Sequence, residues 1–371
     1  MKKPVPKIHP SERLKNVRNV IPPVPKRFKR VKNEERIQEA FENIPRITNE
    51  TVAEHREDVL KGARKYKYPL QHSKHRIVIV SASLLAAAVV TFFVYTGLAL
   101  YKFQSSSAFM YRVTQVLPLP VARAGKSFVA YENYLFELRR YQHYYQSQQR
   151  VDFSSKDGQR QLDRYKPVAL DEVVQDAYVK QLAAAHHVSV SHGDLNTELA
   201  ALKAQNHSSD QELADVTSKF FGWSLDDLKR ELTQELLAQK VASVLDTDAH
   251  TRANAVAGQI ESGGDFTALA KQYSEDPTTK ANGGQYADTA ITSASIDVSP
   301  AVVQLLQNMS PGQVSGVIWA GNSFEIVKLI SSTEGKMTAA HISFNITPIN
   351  TYVAQYQKIH ARRIYIKVPG I

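Results

Sequence analysis

The stretch Phe266-Thr267-Ala268-Leu269-Ala270-Lys271-Gln272-Tyr273-Ser274-Glu275-Asp276, followed by Asn282-Gly283-Gly284-Gln285, decides the fold. Phe266, Leu269 and Ala270 fall on one face at helical spacing, so Phe266–Tyr273 reads as a short helix with those three residues turned inward. Working outward, His250–Ser262 reads as the preceding helix, ended by Gly263-Gly264. Val298–Gln307 reads as a third helix with Pro300 in its first turn. Val314–Trp319 and Phe324–Leu329 read as strands around the turn Ala320-Gly321-Asn322-Ser323. The expectation is a small α/β domain with an antiparallel sheet, spanning residues 248–346.

Taken with Ser310-Pro311-Gly312-Gln313-Val314-Ser315 and the strand Phe324-Glu325-Ile326-Val327-Lys328-Leu329, this order resembles a parvulin-type peptidyl-prolyl cis/trans isomerase. That family's pattern is F-x-x-LA-x-x-YS-x-D, then GG-x-L-G, PG-x-VS and G-x-H-I-I. Its first strand, x-A-x-H-I-L, has no counterpart ahead of the first helix. A matching piece stands at the other end, Thr338-Ala339-Ala340-His341-Ile342-Ser343-Phe344. A turn over Ser332-Thr333-Glu334-Gly335-Lys336 would bring it back beside the last strand, giving a circularly permuted domain. A truncated second copy is the rival reading.

The resemblance also implies a site. His341 takes the place of the family's first-strand histidine, and Asp276 the place held by Asp or Cys. These two are the expected catalytic pair. The expected peptide-binding residues are Gln285, Val298, Val302, Trp319, Phe324 and Glu325. Several depart from the family: the pocket leucine falls near Gln285 and Tyr286, Val298 and Val302 replace Met and Phe, and Glu325 replaces the last-strand histidine. Prolyl isomerisation breaks no bond and needs no metal or cofactor. It must lower an amide-rotation barrier of about 18–20 kcal/mol by seating the proline and favouring the twisted amide.

Upstream, Leu117 to Ser127 reads as a strand, a Gly turn and a return strand. Helices are expected over Tyr131–Gln149, Leu170–Ala185, Asp194–Ala204, Asp210–Phe221 and Ser224–Leu245, the last opened by Ser224 as N-cap with Asp227 at the third position. Pro120-Val121-Ala122-Arg123-Ala124-Gly125, His187-Val188-Ser189-Val190-Ser191 and Phe221-Gly222-Trp223-Ser224-Leu225-Asp226-Asp227-Leu228-Lys229 resemble the N-terminal chaperone module of SurA- and PrsA-type extracytoplasmic foldases. A mostly helical chaperone module over residues 105–247 is therefore expected. Residues 347–371, a helix over Pro348–His360 and a strand over Arg362–Val368, are expected to return to it. His186, His187 and His192 cluster near a helix end, but no carboxylate completes a ligand spacing, and no metal site is expected.

Ile77–Tyr101 holds 25 residues without one Asp, Glu, Lys or Arg. A helix rising about 1.5 Å per residue needs roughly 20 apolar residues to cross about 30 Å of hydrocarbon, so this run is long enough to span a membrane. Residues 1–76 carry 20 Lys+Arg against 9 Asp+Glu, whereas the rest of the chain carries 26 against 27. The basic flank implies an N-terminal tail in the cytoplasm and an outer body over residues 105–371. The tail is expected to be largely unstructured, with short helices over Glu34–Asn43 and Thr51–Lys65, the latter capped by Asn49. Its composition suits a solvated topology signal, or attachment to anionic lipid or a cytoplasmic partner. No motif for specific nucleic acid is present. There is no cysteine, which excludes disulfides, thiolate metal sites and a cysteine nucleophile. The partners expected for the outer body are unfolded or proline-containing exported polypeptides. An active isomerase, a degenerate holdase and a membrane scaffold are the three competing functions.

Overall fold

A computed structural model describes residues 47–67, 70–287 and 290–370. The helix expected over Glu34–Asn43 and most of the basic tail lie outside these residues. The chain divides at Ala86/Ala87 into two units. The first contains helix α1, Asn49–Lys67, and the opening of α2, Leu70–Gly97. Thr48, not Asn49, caps α1: its Oγ1 accepts from the Thr51 amide at 3.4 Å, and its own amide donates back to Thr51 Oγ1 at 3.0 Å. This exchange satisfies two end groups where an Asn49 cap would satisfy one.

From Ile77 onward helix α2 carries no Asp, Glu, Lys or Arg, and its side chains from Ile77 to Tyr95 are exposed. It ends in a π-helical turn, Leu98–Lys102, in which Ala99 and Leu100 are buried. The polar stretch Gln104–Ser107 is not a loose linker. Gln104 hydrogen-bonds the Lys367 carbonyl, and Ser107 caps α3, Ala108–Val116.

Strands β1, Pro120–Ala124, and β2, Ser127–Ala130, form the expected hairpin about Gly125 and lead into α4, Tyr131–Gln148. Helix α5 covers Lys156–Ala185, starting well before the expected Leu170. Ser155 caps it, and buried Leu162, Ala169 and Leu170 on both sides of Pro167 hold the helix together across the hydrogen bond that proline removes. Capping boxes at Ser191, Ser209 and Ser224 open α6, His192–Gln205, α7, Asp210–Phe221, and α8, Leu225–Leu245. His186 and His187 end α5 and His192 begins α6; among the described residues no side-chain group is arranged to hold a metal ion.

Asp246 joins α8 to α9, Thr247–Glu261, its carboxylate accepting from the Ala249 and Thr347 amides at 3.0 and 2.7 Å. Helix α10 is Phe266–Tyr273 and α11 is Pro300–Leu306. The sheet of this domain has the order β3-β4-β5, all antiparallel, with β3 Ile318–Trp319, β4 Ser323–Thr333 and β5 Lys336–Asn345. Of the strand expected over Val314–Trp319, only two residues pair in the ladder, with an isolated bridge from Val314 to Lys328. The β4–β5 turn is tighter than expected. Glu334 and Gly335, both at positive φ (50° and 75°), make a two-residue hairpin whose twist matches its strands. The sheet separates two apolar layers. Phe324, Ile326, Ala340, Ile342 and Phe344 pack on α9 and α10, while Val327, Leu329, Met337 and Ala339 pack on α11.

Finally α12, Ile349–Ile359, leads to β6, Arg362–Ile364, which pairs with β1. The strand is shorter than the expected Arg362–Val368. Beyond it Ile366 and Val368 are buried in the upstream core rather than held in a ladder.

Candidate active site

Alternation along β4 and β5 puts His341 and Glu325 on the face that also carries Val327, Leu329 and Ala339. The loop after α10 carries Asp276 to the same place, and it is stitched to β5 by three hydrogen bonds. The Glu275 amide donates to the Ser343 carbonyl at 2.8 Å. The Ser343 amide donates to Ser274 Oγ at 3.2 Å, and the Asn345 amide to Glu275 Oε2 at 2.8 Å. Asp276 then turns the chain by accepting from the Thr278 amide at 2.9 Å, the Asx pattern that an Asp-Pro-Thr-Thr run favours.

Gly284 closes the arrangement. Its carbonyl accepts from the His341 amide at 2.8 Å, and its φ is +84°. A Cβ there would stand 2.1 Å from the His341 carbonyl oxygen, so only glycine lets this loop lie against β5.

His341 sits at the centre, 6% exposed. Its Nδ1 lies 2.9 Å from Glu325 Oε2, and its Nε2 lies 3.0 Å from Asp276 Oδ2 and 2.9 Å from Thr279 Oγ1. Thr279 also donates to Asp276 Oδ2 at 2.5 Å. Glu325 accepts from the Tyr286 hydroxyl at 3.0 Å and the Ser323 hydroxyl at 2.9 Å. The Tyr286 ring lies over the imidazole, with centroids 4.3 Å apart.

With carboxylates on both sides, the imidazole is placed to donate twice. Burial pushes its pKa down, but Glu325 and Asp276 together raise it above the ordinary histidine value. Burial pushes Asp276 up. Hydrogen bonds from Thr279, Thr278 and His341 outweigh that and hold its pKa at about 2. Burial first, and then the Glu325 carboxylate, drive the Tyr286 hydroxyl well above the usual tyrosine range, so it remains a proton donor. Both imidazole nitrogens and the Tyr286 hydroxyl are engaged with carboxylates, so the cluster is a closed hydrogen-bond network that fixes the position of the imidazole and its polar neighbours on this face of the sheet.

The expected site residues do not all meet here. Glu325 does. Gln285 is exposed and bridges Ala340 across the open edge of β5. Val298 and Val302 lie in the apolar layer with Ile291, Leu306, Leu329 and Met337, on the His341 face but almost fully buried. Phe324 is on the opposite face of the sheet, edge-on to His250 at 5.1 Å. Trp319 lines a cavity of about 380 Å³ between α6 and α8 on one side and α11 and the β3–β4 turn on the other. Thr279, Ser323 and Tyr286 complete the cluster. The first two carry no sequence pattern of their own, since each is defined by a neighbour brought near in space.

Residues 236–331 match the PPIC-type PPIASE domain (Rotamase) family, and residues 70–242 match the SurA-like N-terminal domain family. The chain is also similar to a curated relative, the foldase protein PrsA of Halalkalibacterium halodurans, with 27% identity over 33% of this chain and 46% of that protein. The chain thus spans less than half the length of this relative. It carries a parvulin rotamase domain and a SurA-like N-terminal domain, and it is a distant homologue of the PrsA foldase.

Proposed function

With a parvulin rotamase domain and a SurA-like N-terminal domain as its working parts, we propose that the chain is a membrane-anchored foldase. It holds unfolded exported polypeptides outside the membrane and accelerates their prolyl cis/trans isomerisation. The observation that carries this reading is His341 held between Asp276 and Glu325 on one face of the sheet. Anchoring is supported by the exposed apolar helix, 27 residues from Arg76 to Lys102. The basic tail favours an N-terminus on the cytoplasmic side.

The domain is read as circularly permuted, with β5 in the place of the family's first strand. Two observations support that order: β5 brings His341 to Asp276, and the rotamase match ends at residue 331, before β5 begins. The catalytic pair is His341 and Asp276, with Glu325 in the role of the second histidine.

One observation favours a second reading, a holdase that binds chains without isomerising them. Tyr286 covers His341, and Val298 and Val302 are packed into the core rather than open to a proline ring. The full chain in lipid nanodiscs, assayed by NMR exchange on a proline peptide and by suppression of client aggregation, separates the two. Rate enhancement lost in His341→Ala and Asp276→Ala supports the isomerase. Aggregation suppressed with no rate enhancement in the parent chain leaves the holdase.

A further inference from the structure

The end of α2 is built into the outer body. Its last turns bury Thr96, Ala99 and Leu100; Leu100 accepts from the Tyr131 hydroxyl at 2.6 Å, and the Tyr101 hydroxyl donates to the Pro120 carbonyl at 2.7 Å. The exposed part of the helix, residues 77–95, measures about 28 Å at 1.5 Å per residue, close to the hydrocarbon thickness. No slack therefore separates the body from the end of the span. The sheet β2-β1-β6 starts from that junction: Pro120 opens β1, and the chain leaving β6 returns to Gln104 through the Lys367 carbonyl.

This base has its own charge. Residues 98–130 and 360–371 hold seven Lys+Arg and no Asp or Glu, whereas residues 131–359 hold 19 Lys+Arg against 27 Asp+Glu. Of the seven, Arg362 pairs with Asp171; none of the other six lies in an ion pair among the described residues. The strand register lines up Phe128, Arg123 and Arg363 in one row across the three strands. Arg123 lies over the Phe128 ring, and Lys102 over that of Phe103. Phe103 and Phe128 are 70% and 66% exposed. Exposed aromatics interleaved with unpaired cations, at the mouth of an apolar helix, have the chemistry of a bilayer headgroup region.

We propose that this base is a second membrane contact, docking on anionic lipid headgroups so that the body is seated on the bilayer rather than tethered above it. The inference rests on the anchoring reading, and its test separates the two. Because the chain has no cysteine, single nitroxide labels can be placed uniquely in the full chain. Leu85→Cys, Phe103→Cys, Phe128→Cys and Val216→Cys are reconstituted in nanodiscs containing phosphatidylglycerol, and label depth is read by power saturation.

The expected result has four parts. Residue 85 lies in hydrocarbon, and residue 216 in water. Residues 103 and 128 lie at headgroup depth, with water-soluble relaxant access several-fold below that at 216. The label at 128 moves into water when Arg123→Glu, Lys126→Glu and Arg363→Glu are combined. Residue 85 in hydrocarbon with residue 128 as accessible as 216 overturns the seating alone. Residue 85 in water overturns the anchor and the seating together.

Discussion

At the residue scale the protein turns on one buried imidazole and the groups that fix its charge. His341 has a folded pKa above its ordinary value, so the stability it contributes is complete below about pH 6.5 and is lost as pH rises through the raised value. Asp276 works in the other direction. Its contribution is complete above its ordinary 3.8 and is lost as pH falls through about 2. Thermal stability of the chain in nanodiscs is therefore expected to fall on the alkaline side, and His341→Gln is expected to flatten that limb. An unchanged alkaline slope would contradict the assigned network. Removing the imidazole outright, His341→Ala, leaves two carboxylates facing each other without their donor. A loss of roughly 3 kcal/mol in denaturant unfolding is expected, the usual cost of breaking a buried pair. Tyr286, one of the two residues near which the resemblance puts a pocket leucine, lies over the His341 imidazole. Tyr286→Leu removes the hydroxyl from Glu325 and shortens the cover over His341. It is expected to raise the isomerisation rate, and a rate that falls instead would make the hydroxyl part of the catalytic group.

At the element scale the loop from Ser274 to Gly284 and strand β5 form one unit, because each supplies the other's hydrogen bonds. Gly284→Ala forces a Cβ against the His341 carbonyl from a positive φ, so a loss of about 2–4 kcal/mol is expected, with displacement of Asp276 from His341. A crystal structure or histidine NMR shifts would register that displacement. Asp246→Ala removes acceptors from two amides on different elements, and about 1–2 kcal/mol is expected from that loss. These elements differed in how far they could be read from the sequence. The helix Phe266–Tyr273 was legible because its apolar spacing and its following Gly-Gly pair are local signals. His341 and Asp276 were legible as a pair only through resemblance, since 65 residues separate them. The long reach of α5 was hidden by Pro167 and a polar opening turn, and tertiary burial of Leu162 overrides both. Strand β6 is shorter than expected because the alternation Ile364, Ile366 and Val368 has the period of a strand, whereas Ile366 and Val368 are buried as core. Phe324, expected beside Glu325 among the peptide-binding residues, lies on the opposite face of the sheet. The period of two along a strand sends adjacent residues to opposite faces.

At the scale of the whole molecule the C-terminal segment ties the rotamase domain to the upstream helical module: α12 follows the rotamase sheet directly, and β6 closes the sheet begun by β1. Truncation after Thr333 removes β5, α12 and β6, leaving β4 paired only with the two-residue β3 and the upstream core without Val353, Ile366 and Val368. Such a chain is expected to aggregate, although residues 70–331 cover both family matches; cooperative unfolding of the truncated chain would contradict the structural role given to the tail. The central claim is that an anchored foldase works through the His341 cluster. Its most direct test is the isomerisation rate of a proline peptide by NMR exchange, for the full chain in nanodiscs and for His341→Ala and Asp276→Ala. The account predicts a clear enhancement by the parent chain, reduced by about 10²-fold in each variant, the cost of losing one preorganised polar group. A parent chain that enhances the rate equally well with either side chain removed would contradict it.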